Sequence, residues 1–317
     1  MTARLTFIPL LLLGTLLVAI AAHCSSGPSH ESRASALGGV GSLAWADEFS
    51  GPRGRPPDPR KWTLETGYGW GDRELQSYTR RPSNVSLDGK GHLAITARRE
   101  RYTGPDGRTA NYTSARINSR ARFEFAYGRV EARIRVPHGR GLLPAFWALG
   151  TNLDAIGWPR AGEIDFVEVY GSDPATVYGT LHGPRRGHED YALEATRRTG
   201  DSLANDFHVY GVSWSPGKIV FRLDGEPYAV RTPRDLPAGS RWSFEHPFFL
   251  LFTLAVGPRW LGPPDATTPW PATMLVDWVR VRLGRATFCP VVRARKLRPR
   301  CPRHPSARAS AGSESTR

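Results

Sequence analysis

Three carboxylates lie within six residues of an otherwise apolar, β-prone segment, at Glu163, Asp165 and Glu168. Side chains on a strand alternate between its two faces, so Glu163 and Asp165 share one face. Glu168 has the opposite parity. It joins that face only if the strand accommodates one extra residue, which predicts a β-bulge within residues 166–168. Because carboxylates rarely cluster among apolar residues without partners, this segment is the leading candidate site.

Two glutamates flanking an aspartate suit glycoside hydrolysis with retention of configuration. In that reaction one carboxylate attacks the anomeric carbon, while a protonated partner roughly 5 to 5.5 Å away donates to the leaving oxygen. Crowding raises the cost of ionising all three acids, so at least one should keep a proton near neutral pH. Asp165, between the other two, could hydrogen-bond the nucleophile. Spacing alone leaves two alternatives open, a solvated acidic strand face and a metal-binding carboxylate cluster.

Segment 162–168 resembles the signature of glycoside hydrolase family 16, in the bulged form of laminarinase-like β-1,3-glucanases. The similarity covers roughly residues 43–283, and several blocks in the expected order are far more specific than one short motif. It implies that Glu163 is the nucleophile, Asp165 an auxiliary acid and Glu168 the general acid/base. The other matching blocks are YTSARI at 112–117, YGRVEARI at 127–134, PAFWALG at 144–150, WP at 158–159, GTLHGP at 179–184 and MLVDWVRV at 274–281.

The resemblance also implies residues that line a sugar-binding cleft. Aromatic rings offer rigid apolar platforms for sugars, and Trp147 and Trp158 match cleft tryptophans of the family, with Trp260 and Trp70 as further candidates on loops. His182 aligns with a family histidine that could hydrogen-bond Glu168 or substrate. The alternatives are core packing for a tryptophan, a backbone hydrogen bond for the histidine, and solvation for polar loop residues. The polar candidates are Arg116, Asn84, Glu74 and Gln76.

A structural calcium ion is a further implication of the resemblance. Glu48, Gly91 and Asp277 fit the expected ligand positions, and oxygen ligands of this kind suit Ca²⁺. Such an ion would clip the two ends of the domain together rather than take part in catalysis. The alternative is an Asp277 that forms a salt bridge without a metal. Catalysis itself is expected to require no cofactor.

Ten short segments punctuated by Gly, Pro and Asp-Gly turns predict β-strands. No helical periodicity exceeds a couple of turns and no internal repeat is present, which predicts an all-β sandwich. The resemblance sharpens this to a β-jelly roll of the concanavalin A-like type, with two curved antiparallel sheets and an open cleft suited to internal chain cleavage. The predicted strands are 93–97, 121–125, 129–136, 145–149, 164–170, 177–182, 208–214, 219–223, 248–255 and 274–282.

Four segments divide the 317-residue chain. Residues 1–22 contain a long apolar run after Arg4, which predicts a secretory signal peptide and an extracellular enzyme; an uncleaved anchor is the alternative. Residues 23–42 are rich in Ser, Gly and Ala, as in a flexible linker. Residues 43–283 form the predicted catalytic domain. Residues 284–317 form a basic tail that is expected to be disordered.

The tail holds nine Lys or Arg and one acid, so it carries +8 of the formal net charge of +14. It could contact an anionic cell wall or membrane surface, or it could be a solvated extension. Nucleic-acid binding is not expected, because Phe288 is its only aromatic residue. Cys289 and Cys301 could form a disulfide, whereas His23 disfavours lipidation of Cys24. No cysteine pair has zinc-site spacing, and a monomer is the default.

This chain departs from the family pattern at the predicted cleft wall. Leu143 occupies a position that is usually Trp, while Thr253 and Pro258 replace Asn and Gly, so affinity or substrate choice could differ. The intact acids still argue against an inactive enzyme. The resemblance implies an endo-acting, retaining glycosidase that cuts β-1,3-linked glucan through a glycosyl–Glu163 intermediate, and the N-terminal apolar run predicts that it is secreted. The alternatives are action on galactan or another β-linked polysaccharide, transglycosylation, and a non-catalytic glucan-binding protein on the same scaffold.

Overall fold

The computed structural model describes residues 41–69, 71 and 73–283, together with the backbone of residues 293–294. The predicted signal peptide, most of the linker and nearly all of the basic tail lie outside the described residues, as do Trp70 and the three cysteines. Among the residues described, no helix is both long and apolar enough to span a bilayer.

The described chain is almost entirely β-structure, as its short apolar segments and closely spaced turns predict. One helical turn, α1 (Leu153–Ile156), and one 3₁₀ turn (Pro233–Asp235) are the exceptions within it. The strands in chain order are β1 (Ser42–Asp47), β2 (Thr63–Glu65), β3 (Gly67–Tyr68), β4 (Gln76–Tyr78), β5 (Val85–Leu87), β6 (Leu93–Thr103), β7 (Thr109–Ser114), β8 (Arg116–Asn118), β9 (Phe123–Glu124), β10 (Gly128–Arg135), β11 (Leu142–Gly150), β12 (Glu163–Glu168), β13 (Thr176–Gly183), β14 (Tyr191–Arg198), β15 (His208–Ser215), β16 (Lys218–Leu223), β17 (Glu226–Arg231), β18 (Phe248–Val256), β19 (Ala272–Leu283) and β20 (Arg293–Ala294).

The larger sheet has the strand order β17-β16-β15-β10-β19-β6-β7-β4-β3, and in addition β1 pairs with β19 and β5 with β6. Its neighbouring strands are antiparallel except for β4 and β7, which run parallel. The predicted antiparallel sheets are therefore confirmed, apart from this one parallel pair. The reason is that β6 and β7 form a hairpin, and β4 lies on the far side of β7 in the same direction as β7.

The smaller sheet has the order β14-β13-β12-β11-β18-β8-β2, and its neighbouring strands are all antiparallel. Strand β18 is buried along its whole length. It reads as a continuous apolar run because both of its faces are covered. One face joins the main core, while Phe249 and Leu251 on the other face pack with Leu149 and Trp147.

The main hydrophobic core is built from the facing sides of the two sheets. Phe146 and Phe252 stack in it with ring centroids 4.4 Å apart, and Phe252 meets Trp62 at 5.5 Å. Gly179 on β13 brings the sheets close together, since a Cβ atom there would lie 2.4 Å from a ring carbon of Phe221. This two-layer arrangement confirms the predicted sandwich fold.

The ten predicted strands all overlap observed strands, whereas ten observed strands, β14 and β17 among them, have no predicted counterpart. The segment predicted at 121–125 is reduced to β9, where Ala121 has a φ of 57°. Strands β14 and β17 were not predicted because their sequences are polar and their outer faces exposed. Each lies at the edge of its sheet, where apolar patterning is weakest.

Candidate active site

A β-bulge in β12 brings the three acids to one face of the smaller sheet. Opposite β11, Asp165 pairs with Trp147 and Val167 with Phe146, so Phe166 is the extra residue. Both Phe166 and Val167 are buried in the core, which returns the next side chain, Glu168, to the face of Asp165. The predicted bulge within residues 166–168 is confirmed.

Strand β13 supplies the residues that neighbour these acids across the sheet. In the register of the two strands, His182 lies opposite Glu163, Thr180 opposite Asp165 and Tyr178 opposite Glu168. Directly paired residues in antiparallel strands project from the same face. The site floor therefore runs over two adjacent strands.

Glu163 is partly buried and accepts a hydrogen bond from the indole of Trp158. The Nε1 atom of Trp158 lies 2.9 Å from Oε2 of Glu163. Burial and then the neighbouring charge of Asp165 raise the pKa of Glu163 to about 8, while the charge of His182 and the Trp158 bond act in the opposite direction. The indole and the imidazole thus favour the ionised form that a nucleophile needs.

Asp165 is the most buried of the acids, at 3 % exposure. Its Oδ2 atom has no well-aligned hydrogen bond, but it lies 3.4 Å from Nε2 of His182. The other ring nitrogen of His182, Nδ1, lies 2.6 Å from Oδ2 of Asp190. Burial lowers the pKa of His182, but the two aspartates outweigh burial and raise this pKa to about 11. His182 is therefore an imidazolium held between two carboxylates.

Glu168 carries the features of a proton donor. Burial, followed by the charge of Asp165, raises the pKa of Glu168 well above its usual value, and the charge of His182 only partly offsets this. Glu163 and Glu168 are both half-buried, but only Glu163 has an indole N–H on its carboxylate. Of the two glutamates, Glu163 is thus the one better prepared to lose its proton.

Aromatic side chains flank both ends of this row of acids. Trp158, beside Glu163, is 42 % exposed, and its ring centroid is 6.2 Å from that of His182. At the Glu168 end, Tyr170 stacks on Tyr178 at 3.8 Å and meets the 51 % exposed Trp260 edge-on at 4.9 Å. Exposed aromatic rings at both ends suit the binding of a chain of sugars.

Trp147 lies beside Asp165 on β11 and is held from two sides. Its Nε1 donates to Oγ1 of Thr253 at 3.2 Å, and the guanidinium of Arg116 lies 4.6 Å from its ring centroid. Arg116 in turn pairs with Glu65. The structure therefore joins Trp147 and Arg116 as one unit on the face that carries the acids.

The sequence profile of "Glycosyl hydrolases family 16" matches residues 73–280. This chain belongs to glycosyl hydrolase family 16. The match includes all three acids, and the resemblance identified from the sequence blocks is confirmed.

Relatives in family 16 cover most of the described domain. The chain is 40 % identical over 255 residues to a beta-glucanase of Rhodothermus marinus, covering 75 % of this chain and 84 % of that protein. It is 35 % identical over 258 residues to glucan endo-1,3-beta-glucosidase A1 of Niallia circulans, but covers only 37 % of that longer protein. Among solved structures, the endo-beta-1,3-glucanase of Pyrococcus furiosus is 41 % identical with a TM-score of 0.70, covering 76 % of this chain and 94 % of that one. The laminarinase catalytic domain of Thermotoga maritima MSB8 is 38 % identical with a TM-score of 0.70, covering 77 % and 99 %.

Two polar residues predicted to bind substrate form buried hydrogen bonds within the protein. Gln76 is fully buried; its Oε1 accepts from the backbone N–H of Val256 at 2.7 Å, and its amide nitrogen donates to Glu74. Asn84 is also fully buried, and its Nδ2 donates to the backbone of Thr96 at 2.9 Å. Neither amide faces solvent, so a contact of Gln76 or Asn84 with substrate stays a prediction without geometric support.

Two of the residues expected to bind calcium, Glu48 and Asp277, pair with arginines. Both carboxylate oxygens of Glu48 accept hydrogen bonds from Arg280, at 2.9 and 2.8 Å, and Asp277 accepts one from Arg133 at 2.7 Å. Each of these two carboxylates is paired with a guanidinium, which competes with Ca²⁺ for the same oxygens. Among the described residues, the group whose ligand atoms converge is Glu163, Asp165 and His182. The calcium site stays a prediction.

Sequence reasoning did not identify Asp190, Tyr170 or Tyr178 as parts of the site. Asp190 lies in a polar hairpin eight residues after His182, and no local pattern indicates which side chain that hairpin turns toward the ring. The two tyrosines could have been predicted from the sequence, because Tyr170 follows Glu168 by two residues and Tyr178 lies opposite Glu168 on the next strand. Leu143, at the altered cleft position, is buried at 7 % exposure and offers little stacking surface.

Proposed function

We propose that this protein is a retaining endo-glycosidase that hydrolyses β-1,3-linked glucan. The observation that carries the proposal is the bulge in β12, which gives Glu163, Asp165 and Glu168 one common face beside aromatic side chains. The named activities of the relatives in Rhodothermus marinus, Niallia circulans and Pyrococcus furiosus support the reaction class and the substrate.

In the first step, the ionised carboxylate of Glu163 attacks the anomeric carbon of the sugar. The bond from that carbon to the glycosidic oxygen breaks, and Glu168 transfers its proton to the departing oxygen. The product is a glycosyl ester on Glu163 and a free chain end. The raised pKa of Glu168 keeps its proton available, while the Trp158 N–H stabilises the charge on Glu163 before attack.

In the second step, ionised Glu168 takes a proton from a water molecule, whose oxygen attacks the same anomeric carbon. The ester bond breaks, Glu163 leaves as a carboxylate, and both glutamates return to their starting states. Asp165 and His182 move no proton in this scheme. The positive charge of His182 offsets part of the repulsion that the Asp165 carboxylate exerts on Glu163.

Cleavage within chains follows from the exposed aromatic rings at both ends of the acid row, Trp158 at one and Trp260 at the other. A polymer can then extend past the reacting bond in both directions, and each exposed ring is available to a sugar face. Hydrolysis of interior bonds lowers viscosity early, before much reducing sugar accumulates.

The test measures reducing-end release from laminarin, mixed-linkage β-glucan and β-1,3-galactan. Glu163→Gln keeps the shape of the side chain but cannot form the ester, so we expect at least a thousandfold loss on laminarin, on the order seen when covalent catalysis is removed. Glu226→Gln, an exposed change on β17, is the matched control and should retain activity. For Glu168→Ala, an aryl β-glucoside is the substrate, because its phenolate can leave without a proton. Azide should then speed release of the intermediate and yield a glycosyl azide with retained configuration, because azide needs no general base.

A related protein of Penaeus monodon, 32 % identical over 198 residues, is named a beta-1,3-glucan-binding protein. Binding without cleavage is therefore the outcome that would contradict hydrolysis. If laminarin retards the wild-type protein in a native gel but no substrate is cut, the acids do not act in catalysis. Preferred cleavage of galactan would instead keep the mechanism and replace the substrate.

We also infer that the enzyme acts outside the cell, after removal of residues 1–22. The support is the apolar run that follows Arg4, which is typical of a secretory signal. Expression of the full chain with N-terminal sequencing of the product tests this. An intact first residue on cell-associated protein would contradict it.

A further inference from the structure

An arginine-lined depression of about 530 Å³ lies near the Glu163 end of the acid row. Its walls include Arg160, Arg186 and Arg241, and Ala155 and Ile156 add apolar surface. We call this depression the arginine pocket. The three arginines come from the segment before β12, the hairpin after β13 and the loop before β18, so tertiary structure alone brings them together.

The pocket adjoins the site through two short chain connections. Arg160 follows Trp158 by two residues, and Pro184, which also lines the pocket, follows His182 by two. Trp158 and His182 are the two side chains beside Glu163. Strand β12 begins at Glu163 and β13 ends one residue before Pro184, so the pocket lies beyond these strand ends. A polysaccharide that passes Trp158 away from Glu168 would reach it.

None of the three pocket arginines forms an ion pair with a carboxylate of the described residues. The nearby acids are engaged elsewhere: Asp154 pairs with Arg120 at 2.5 Å, and Asp190 pairs with His182 at 2.6 Å. Glu189, on the same hairpin as Arg186, is exposed and is a single acid against three arginines. The pocket therefore keeps uncompensated guanidinium groups around one concave surface.

Backbone hydrogen bonds fix the main-chain positions of two of the arginines. The N–H of Arg186 donates to the carbonyl of Gly239 at 3.0 Å, and the N–H of Arg241 donates to that of Pro184 at 3.1 Å. Arg160 is fixed by its own side chain, whose Nε donates to the carbonyl of Ile156 at 2.6 Å. Among the described residues, no carboxylate pairs with the guanidinium groups of these arginines.

We propose that the arginine pocket is a subsite for an oxyanion substituent, a sulfate ester or a carboxylate, on the glycan chain that occupies the cleft. Guanidinium groups bind such oxygens with paired, charge-assisted hydrogen bonds. Apolar Ala155 and Ile156 suit the sugar ring that carries the substituent. This inference rests on the proposed glycosidase function and adds a preference for acidic over neutral polymers.

The experiment compares laminarin with sulfated and carboxymethylated laminarin as substrates. The site variant is Arg160→Gln/Arg186→Gln/Arg241→Gln. The control, Arg55→Gln/Arg101→Gln/Lys218→Gln, removes the same charge from exposed positions outside the pocket. We expect the site variant to raise KM for the two anionic substrates about tenfold, with KM for neutral laminarin within about twofold of wild type. High salt should shrink this difference, because it screens exposed charges.

Equal effects of the site and control variants would assign the preference to overall positive charge and overturn the proposal. An unchanged KM for the anionic substrates would overturn it as well. Binding is measured separately by affinity electrophoresis in the Glu163→Gln background, which needs no turnover. If wild type cuts no glucan, the proposed function fails, yet arginine-dependent retention by sulfated over neutral laminarin would still support the pocket.

Discussion

The indole N–H of Trp158 is predicted to set the ionisation of the nucleophile. The bond from Nε1 of Trp158 to Glu163 is 2.9 Å long, and it lowers the pKa of a carboxyl that burial and Asp165 otherwise raise. Trp158→Phe removes this single donor and keeps an aromatic ring beside the site. The pKa of Glu163 should therefore rise, and a larger share of the enzyme should be protonated and inactive at a given pH.

The size of the shift follows from the strength of the lost bond. A hydrogen bond to a charged group contributes about 1.5 to 3 kcal/mol when it is well shielded from water. Trp158 is 42 % exposed, so we take about 1 to 1.5 kcal/mol. One pKa unit corresponds to about 1.4 kcal/mol, which gives an upward shift of about one unit. On the acidic side of the optimum, kcat/KM should fall about tenfold.

The assay is kcat/KM for laminarin from pH about 4 to about 10. Trp260→Phe is the matched control, since Trp260 is a similarly exposed tryptophan at the other end of the acid row and touches Tyr170, not Glu163. We expect the acidic limb to move in the Trp158 variant only, while the Trp260 variant changes KM.

Two results would refute this reasoning. A uniform loss of kcat at every pH in Trp158→Phe would mean that the indole positions substrate and does not control ionisation. Equal movement of the acidic limb in both variants would mean that loss of either tryptophan perturbs the site in a general way.

Further predictions concern stability and charge. Because the pKa of Glu163 is raised from 4.5 to about 8, ionising it costs stability as pH rises through that interval, so Glu163→Gln should be more stable than wild type by about 1 to 3 kcal/mol at pH 9 and equal to it near pH 4, as measured by thermal melting. Asp190→Asn removes one of the two carboxylates that raise the pKa of His182, so an NMR titration of that ring should give a lower pKa than wild type, and an unchanged value would contradict the ion-pair assignment. Gly179→Ala should destabilise the fold by about 1 to 3 kcal/mol, because the new methyl group would overlap the Phe221 ring, and an unchanged denaturation midpoint would show that the sheets can separate there.

The sequence was enough to predict that the three acids share one face of a strand. Strand parity alone requires a bulge to bring Glu168 to the face of Asp165, and the structure has that bulge at Phe166. The all-β fold also followed from short apolar segments, since alternation and turns are local properties. The sequence pattern did not predict the edge strands β14 and β17, because their polar sequences show little periodic alternation of apolar residues.

The partners of the site residues were decided by tertiary structure. Asn84 and Gln76 were placed at the cleft by resemblance, but the fold buries both amides and uses them to bond neighbouring segments. The pairing of His182 with Asp190 depends on how a polar hairpin folds back, and no residue pattern encodes that direction.

The sequence by itself determined which residues can do chemistry here and on which strand they lie. Residue type and the alternation of side chains along a strand depend only on residues close together in the chain. Only the tertiary structure decided what surrounds them: the Trp158 N–H on Glu163, the imidazolium between two aspartates, and three arginines gathered from distant segments. The physical reason is that pKa values and binding surfaces depend on burial and on charges a few ångströms away in space, whatever their separation along the chain.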